Sequence, residues 1–192
     1  MMTLRRLSLL LNFLLLTSFH DVNAIEPSDA QMALTAGVKA DDPKEIEIAL
    51  KDGADINLPS PRGGQTPLMQ SVLNGQVNAV KYLLSRGADA SIGEANGYTP
   101  MHGAGFQGRV EIAEILLNHG VDPRHMHEDG YEPIHRACWG SQQRHTDTVH
   151  FFIEKAGVNV EEIYDQCTND EKVKNPGTIK LLKQFRSTSD EL

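Results

Sequence analysis

Apolar residues in this chain recur at helical spacing in short bursts, and the bursts themselves recur. Val77, Val80, Leu83 and Leu84 share one face of a short helix, and Val110, Ala113, Leu116 and Leu117 repeat that face with the same internal spacing. Each burst follows a shorter apolar segment that opens on Thr66-Pro67 or Thr99-Pro100. Threonine can accept from the free N–H groups of a first turn and proline presets φ for it, so each dipeptide predicts a helix start. Gly75 and Gly108 then mark a tight turn, while Gly87 and Gly120 fit a helix end that needs positive φ. The pattern predicts two short antiparallel helices per unit.

The units are periodic. Thr66, Thr99 and Glu132 stand 33 residues apart, and the prolines that follow, Pro67, Pro100 and Pro133, keep the same step. Gly53-Ala54-Asp55, Gly87-Ala88-Asp89, Gly120-Val121-Asp122 and Gly157-Val158-Asn159 close four units. A hairpin of two short helices cannot bury its apolar face alone, so a fixed period of this size predicts stacking of neighbour on neighbour. In both motif and period the chain resembles the ankyrin-repeat family, from about Asp29 to Phe185. Thr99-Pro100-Met101-His102 and Glu132-Pro133-Ile134-His135 match its Thr-Pro-Leu-His motif best, and Thr66-Pro67-Leu68-Met69 lacks the histidine.

The resemblance implies an all-α solenoid of stacked helix-turn-helix units with β-turn fingers. We place the units at about 29–61, 62–95, 96–128 and 129–160, with a C-terminal cap at 161–186 and a tail at 187–192. Repeat one starts on Ser28-Asp29 without Thr-Pro, and the run from Asn175 to Phe185 supplies a capping helix. In repeat four Val149, Phe152 and Ile153 fall three residues later than the period requires, which predicts a longer exposed loop over Gly140 to His145.

A chain of 192 residues that is 40% hydrophobic and 23% charged is expected to fold as one domain. Its formal charge of -8 and pI near 5.4 argue against non-specific attraction to nucleic acid or anionic lipid. Residues 1–24 read differently: Arg5-Arg6, an apolar run from Leu7 to Phe19, then Val22-Asn23-Ala24. That order predicts a secretory signal peptide cleaved after Ala24, with 25–28 as a linker. An uncleaved anchor is the alternative, although the apolar run is short for a span of about 20 residues. No further membrane span is expected. The chain ends Ser189-Asp190-Glu191-Leu192, similar to the tetrapeptide read by retrieval receptors. Together these features predict residence in the endoplasmic reticulum lumen, with secretion as the alternative, and a monomer. That compartment permits a disulfide between Cys138 and Cys167. Cys138 falls where the repeat wants a small buried side chain, so a free packing cysteine is expected.

No nucleophile elbow, phosphate loop, Cys-x-x-Cys or His-Glu-x-x-His occurs, so neither an enzyme nor a cofactor is expected. His119, His125, His127, His135, His145 and His150 crowd one quarter of the chain. They suggest a metal- or pH-responsive module on repeats three and four, but none stands with partners at ligand spacing. His125 and His127 are expected in an exposed finger. A protein-binding scaffold is better supported, because stacked repeats build a concave face from fingers and first helices. Leu73, Phe106 and Trp139 stand 33 residues apart at the end of helix one. Gln65, Tyr98 and Tyr131 occupy equivalent finger positions, and Gln70, Gly103 and Arg136 equivalent helix positions. The resemblance implies that such positions meet a partner. We therefore nominate Leu73, Tyr98, Phe106, Tyr131, Arg136 and Trp139 for a protein partner, the alternative being that the aromatics complete the core.

Overall fold

The computed structural model describes residues 28–189. Ten helices follow one another in five pairs. These are α1 (Asp29–Ala40) with α2 (Pro43–Lys51), α3 (Pro67–Asn74) with α4 (Val77–Ser85), and α5 (Pro100–Gln107) with α6 (Val110–Asn118). After them come α7 (Pro133–Cys138) with α8 (Gln143–Glu154) and α9 (Val160–Asn169) with α10 (Pro176–Ser189). No strand occurs among the described residues, and the architecture is the all-α solenoid that the period predicts. The expected leader over residues 1–24 lies outside the described residues.

Local chemistry sets each boundary. Ser28 caps α1 by accepting from Gln31 N–H at 3.2 Å, and Thr66 caps α3 by accepting from Met69 N–H at 3.1 Å. Gly75 and Gly108 end α3 and α5 with φ of 78° and 65°, a left-handed conformation that costs glycine little. Between pairs the chain makes a turned finger closed by backbone bonds, such as Glu94 N–H to Tyr98 O at 3.0 Å and His127 N–H to Tyr131 O at 3.1 Å.

The apolar faces merge into one core running the length of the stack, including Leu34, Leu68, Val80, Leu83, Met101, Ile112, Leu116, Ile134 and Phe152. Helices α5 and α7 approach very closely where Gly105 meets repeat four: a Cβ there would stand 2.2 Å from the Pro133 carbonyl oxygen.

A polar joint recurs at each of the four contacts between neighbouring pairs. At or near the start of each second helix, a side chain reaches back to a carbonyl at or just beyond the C-terminal end of the preceding first helix. Gln76 Nε2 donates to Lys39 O at 2.7 Å, Arg109 Nη2 to Leu73 O at 3.5 Å, and Asn175 Nδ2 to Gly140 O at 3.1 Å. His145 Nε2 meets Phe106 O at 3.2 Å in the same way. These donors satisfy carbonyls that have no partner inside their own helix.

That joint corrects the expectation for Gly140 to His145. The extra three residues of repeat four are not loop but an added turn at the start of α8, which begins at Gln143. Gln142 and His145 form a capping box, and the imidazole, moved three residues along, still reaches the Phe106 carbonyl.

The second correction is covalent. Cys138 is not a free packing cysteine, because it is bonded to Cys167, with Cα atoms 5.5 Å apart and both residues wholly buried. The expected cap at 161–186 is a full helix pair whose α9 lies against α7, which brings the thiols together, and its second helix runs on to Ser189. Asn175 and Thr178 complete this contact, the Thr146 and Thr178 hydroxyls meeting at 2.9 Å.

Candidate concave binding groove

The groove originates in a missing side chain. Gln70, Gly103 and Arg136 occupy the same position in successive first helices, and the glycine leaves a gap between two long side chains. A Cβ on Gly103 would stand 3.1 Å from Met69 Sδ and 3.3 Å from a Leu73 methyl. The gap opens a groove of about 350 Å³ walled by Met69, Leu73, Tyr98, Phe106, Arg136 and Trp139, with Gln65 and Glu94 contributed from the fingers. This lies at the small end of the range of about 300–1,000 Å³ usual for ligand pockets.

Five of the six nominated residues line this groove, and they differ in how they are held. Phe106 is 56% exposed, an open apolar surface, and Leu73 is half-buried. Trp139 meets two cations, the Arg136 guanidinium 4.4 Å from its ring centroid and Lys172 Nζ 4.3 Å from it. Arg136 in turn lies 4.5 Å from the Tyr98 ring, which stacks on His127 at 3.9 Å. His127, Tyr98, Arg136, Trp139 and Lys172 thus form a column of alternating rings and cations along three successive units. Each desolvated cation–π contact contributes roughly 0.5–2 kcal/mol. Tyr131, the sixth nominee, is not in the groove wall. It packs behind, edge-on to Trp139 at 5.0 Å, with its hydroxyl donating to Asp170 at 3.4 Å.

The column is locked by Asp129, which accepts from Arg136 Nη2, from the Tyr98 hydroxyl at 3.0 Å and, when the imidazole is protonated, from His127 Nδ1 at 2.9 Å. Burial pushes the Asp129 carboxyl up, but these three donors outweigh it and hold it well below the usual carboxylate range. Burial likewise pushes His127 down, and the Asn96 carbonyl at 2.6 Å together with Asp129 reverses this, leaving it above the ordinary imidazole value. His127 is therefore not the exposed finger residue expected from its position, since its side chain is only 9% accessible. His125 is exposed. Arg136 is 94% buried, counting its residual 6% accessibility, and its Nε has no hydrogen-bond partner.

The motif histidine of repeat three works as a strut, whereas His135 accepts from Glu132 N–H within its own unit. His102 Nδ1 meets Thr99 Oγ1 at 2.9 Å and its Nε2 meets Tyr131 O of the next unit at 3.4 Å, an arrangement that suits the neutral ring. Burial, beyond what the Tyr131 carbonyl restores, pushes its pKa down to about 4. No group of three or more His, Cys, Asp or Glu among the described residues is placed to hold a metal ion. No described helix is long and apolar enough to cross a membrane. Ser189 ends α10, and Asp190, Glu191 and Leu192 lie outside the described residues.

The residues that sequence reasoning missed are Met69, Glu94, His127 and Lys172. Met69 stands in the histidine slot of its motif, which marks it as unusual. Lys172 lies beyond the last regular repeat, where periodicity has nothing to say.

Repeated helix pairs, turned fingers and a motif histidine that ties one unit to the next define a class of stacked interaction modules. The chain belongs to the ankyrin-repeat family, whose model, described as ankyrin repeats (3 copies), matches residues 5–94 and 87–163. Among curated proteins it is similar to the ankyrin repeat and SAM domain-containing protein 6 of Rattus norvegicus, 33% identical over 79 residues, which is 41% of this chain and 9% of that protein. It is also similar to the mitochondrial disaggregase of Homo sapiens, 35% identical over 68 residues, 35% of this chain and 10% of that protein. The matched segments thus cover about a tenth of the length of these relatives.

Proposed function

We propose that this protein is a non-enzymatic scaffold of the secretory pathway that holds a protein partner in the groove centred on Gly103. The observation that carries the proposal is Phe106, a large apolar side chain exposed beside a preformed groove. Aromatic and arginine side chains in such settings supply most of the energy of many interfaces. Family membership supports binding rather than catalysis, since ankyrin repeats are interaction modules. The lumenal part of the proposal is supported by the buried Cys138–Cys167 bridge, because such bonds form and persist in oxidising compartments. It is joined to the leader-like order of residues 1–24 and the Ser189-Asp190-Glu191-Leu192 end.

The test has two arms. Proteins crosslinked to the full chain inside cells are identified, and their affinity is measured for Phe106→Ala against the control Glu114→Ala on the exposed side of α6. Loss of about 2 kcal/mol or more for Phe106→Ala alone is expected. Equal binding by both variants removes the groove from the proposal. For the address, two residues are appended after Leu192, and an unchanged amount in the medium refutes retrieval.

A further inference from the structure

We infer that the groove takes an extended peptide segment in which a basic side chain neighbours an aliphatic or aromatic one. This deepens the preceding reading and rests on it. Three observations define the peptide. The apolar surface of Leu73 and Phe106, open where position 103 carries no side chain, accepts one large apolar residue. The Arg136 guanidinium, which lines the same groove, is buried and already paired with Asp129.

Charge selects what flanks the apolar residue. The Arg136 cation is already neutralised by Asp129, so it offers no open charge to a partner carboxylate. Glu94 lines the groove from the finger side and meets only the Gln65 amide at 3.5 Å, with no cation paired to it among the described residues. Within the groove wall the uncompensated charge is therefore negative, as is the chain as a whole at -8. A lysine or arginine beside the apolar residue complements it, and an acidic neighbour is repelled. Gln70 and Arg136 show that a long side chain fits this position in adjacent units, so Gly103 is the residue that makes room.

Phage displaying random dodecapeptides, selected on the immobilised full chain, provide the probe, and selected peptides are then synthesised for titration. Enriched sequences are expected to pair Lys or Arg with Leu, Ile, Phe or Met within two positions. Glu94→Lys is expected to weaken these peptides about tenfold and to shift selection toward Asp and Glu. Gly103→Gln is expected to abolish their binding, and because its Cβ also presses on Met69 and Leu73, melts of the variant report the folding cost separately. If peptides bind and Phe106→Ala or Gly103→Gln abolishes binding, but Glu94→Lys changes neither affinity nor selection, the groove stands and the basic partner is overturned. If no peptide is enriched, or if none of these variants alters peptide binding, this inference is overturned. The crosslinked partner's response to Phe106→Ala then decides the scaffold proposal separately.

Discussion

Breaking the Cys138–Cys167 bond should free the last helix pair without unfolding the rest. The bond closes a loop of 29 residues between a first helix and the first helix of the next unit. In the chain-entropy account, a loop of that size restricts the unfolded state by roughly 3.5 kcal/mol. In a stacked-repeat protein the effect is local, because each unit is stabilised only by its neighbours. Among the described residues, helices α9 and α10 have a neighbour on one side only, and the other polar ties to it include the Asn175 bonds, the Thr146–Thr178 pair, Arg124 with Glu162 and Lys172 over Trp139. The variant Cys138→Ala/Cys167→Ala replaces two wholly buried side chains by small apolar ones, which avoids introducing a buried hydroxyl. Amide hydrogen exchange followed by mass spectrometry should show residues 160–189 losing protection by about two orders of magnitude, while 67–118 keep theirs. Urea melts should develop an early transition. If protection falls uniformly along the chain, the nearest-neighbour reasoning is wrong. If it does not fall at all, the bond contributes nothing to the C-terminal unit.

Four further outcomes follow from the geometry. His102 binds its proton less readily folded than unfolded, so its contribution to stability is full above pH 6.5 and declines as pH falls toward 4, by about 3 kcal/mol at most; urea melts from pH 7 to pH 4 should flatten in His102→Gln. His127 works oppositely, its contribution being present below pH 6.5 and lost as pH rises through its elevated folded value. Trp139→Ala removes the ring that meets Arg136 and Lys172 and should cost about 2 kcal/mol or more in thermal melts, whereas exposed Phe106→Ala should stay within about 0.5 kcal/mol. Gly105→Ala drives a methyl against the Pro133 carbonyl and should cost about 3 kcal/mol or more, although alanine is the better helix former, and a neutral result would show that α5 and α7 can slide apart.

The helix pairs were legible because their determinants are local: Thr66-Pro67, Thr99-Pro100, Gly75 and Gly108 each act within one turn of the backbone. The groove was partly legible, since a period of 33 aligns Gly103 with Gln70 and Arg136 and places Leu73 and Phe106 on one row. What sequence did not show depends on neighbours from outside the period. Cys167 lies 29 residues from Cys138, so no repeat rule pairs them. Lys172 reaches Trp139 from the irregular last unit, which gives a nominated anchor a second cation within the fold itself. The extra turn of α8 escaped notice because Gln142 and His145 make a capping box without the usual serine or threonine.

The four joints, in which Gln76, Arg109, His145 and Asn175 each grip a carbonyl of the unit before, also govern how the molecule can be lengthened. Donor identity varies while the acceptor is always main chain, so each unit presents its successor with the same socket whatever its own sequence. An additional 33-residue unit inserted after Pro61 would find a socket behind it and offer one ahead, leaving the groove, the ladder of rings and the bridge downstream intact. The same cassette inserted after Val158 would separate Cys138 from Cys167 and leave two thiols to find other fates. Growth of the array is thus permitted upstream of the groove and barred beyond it.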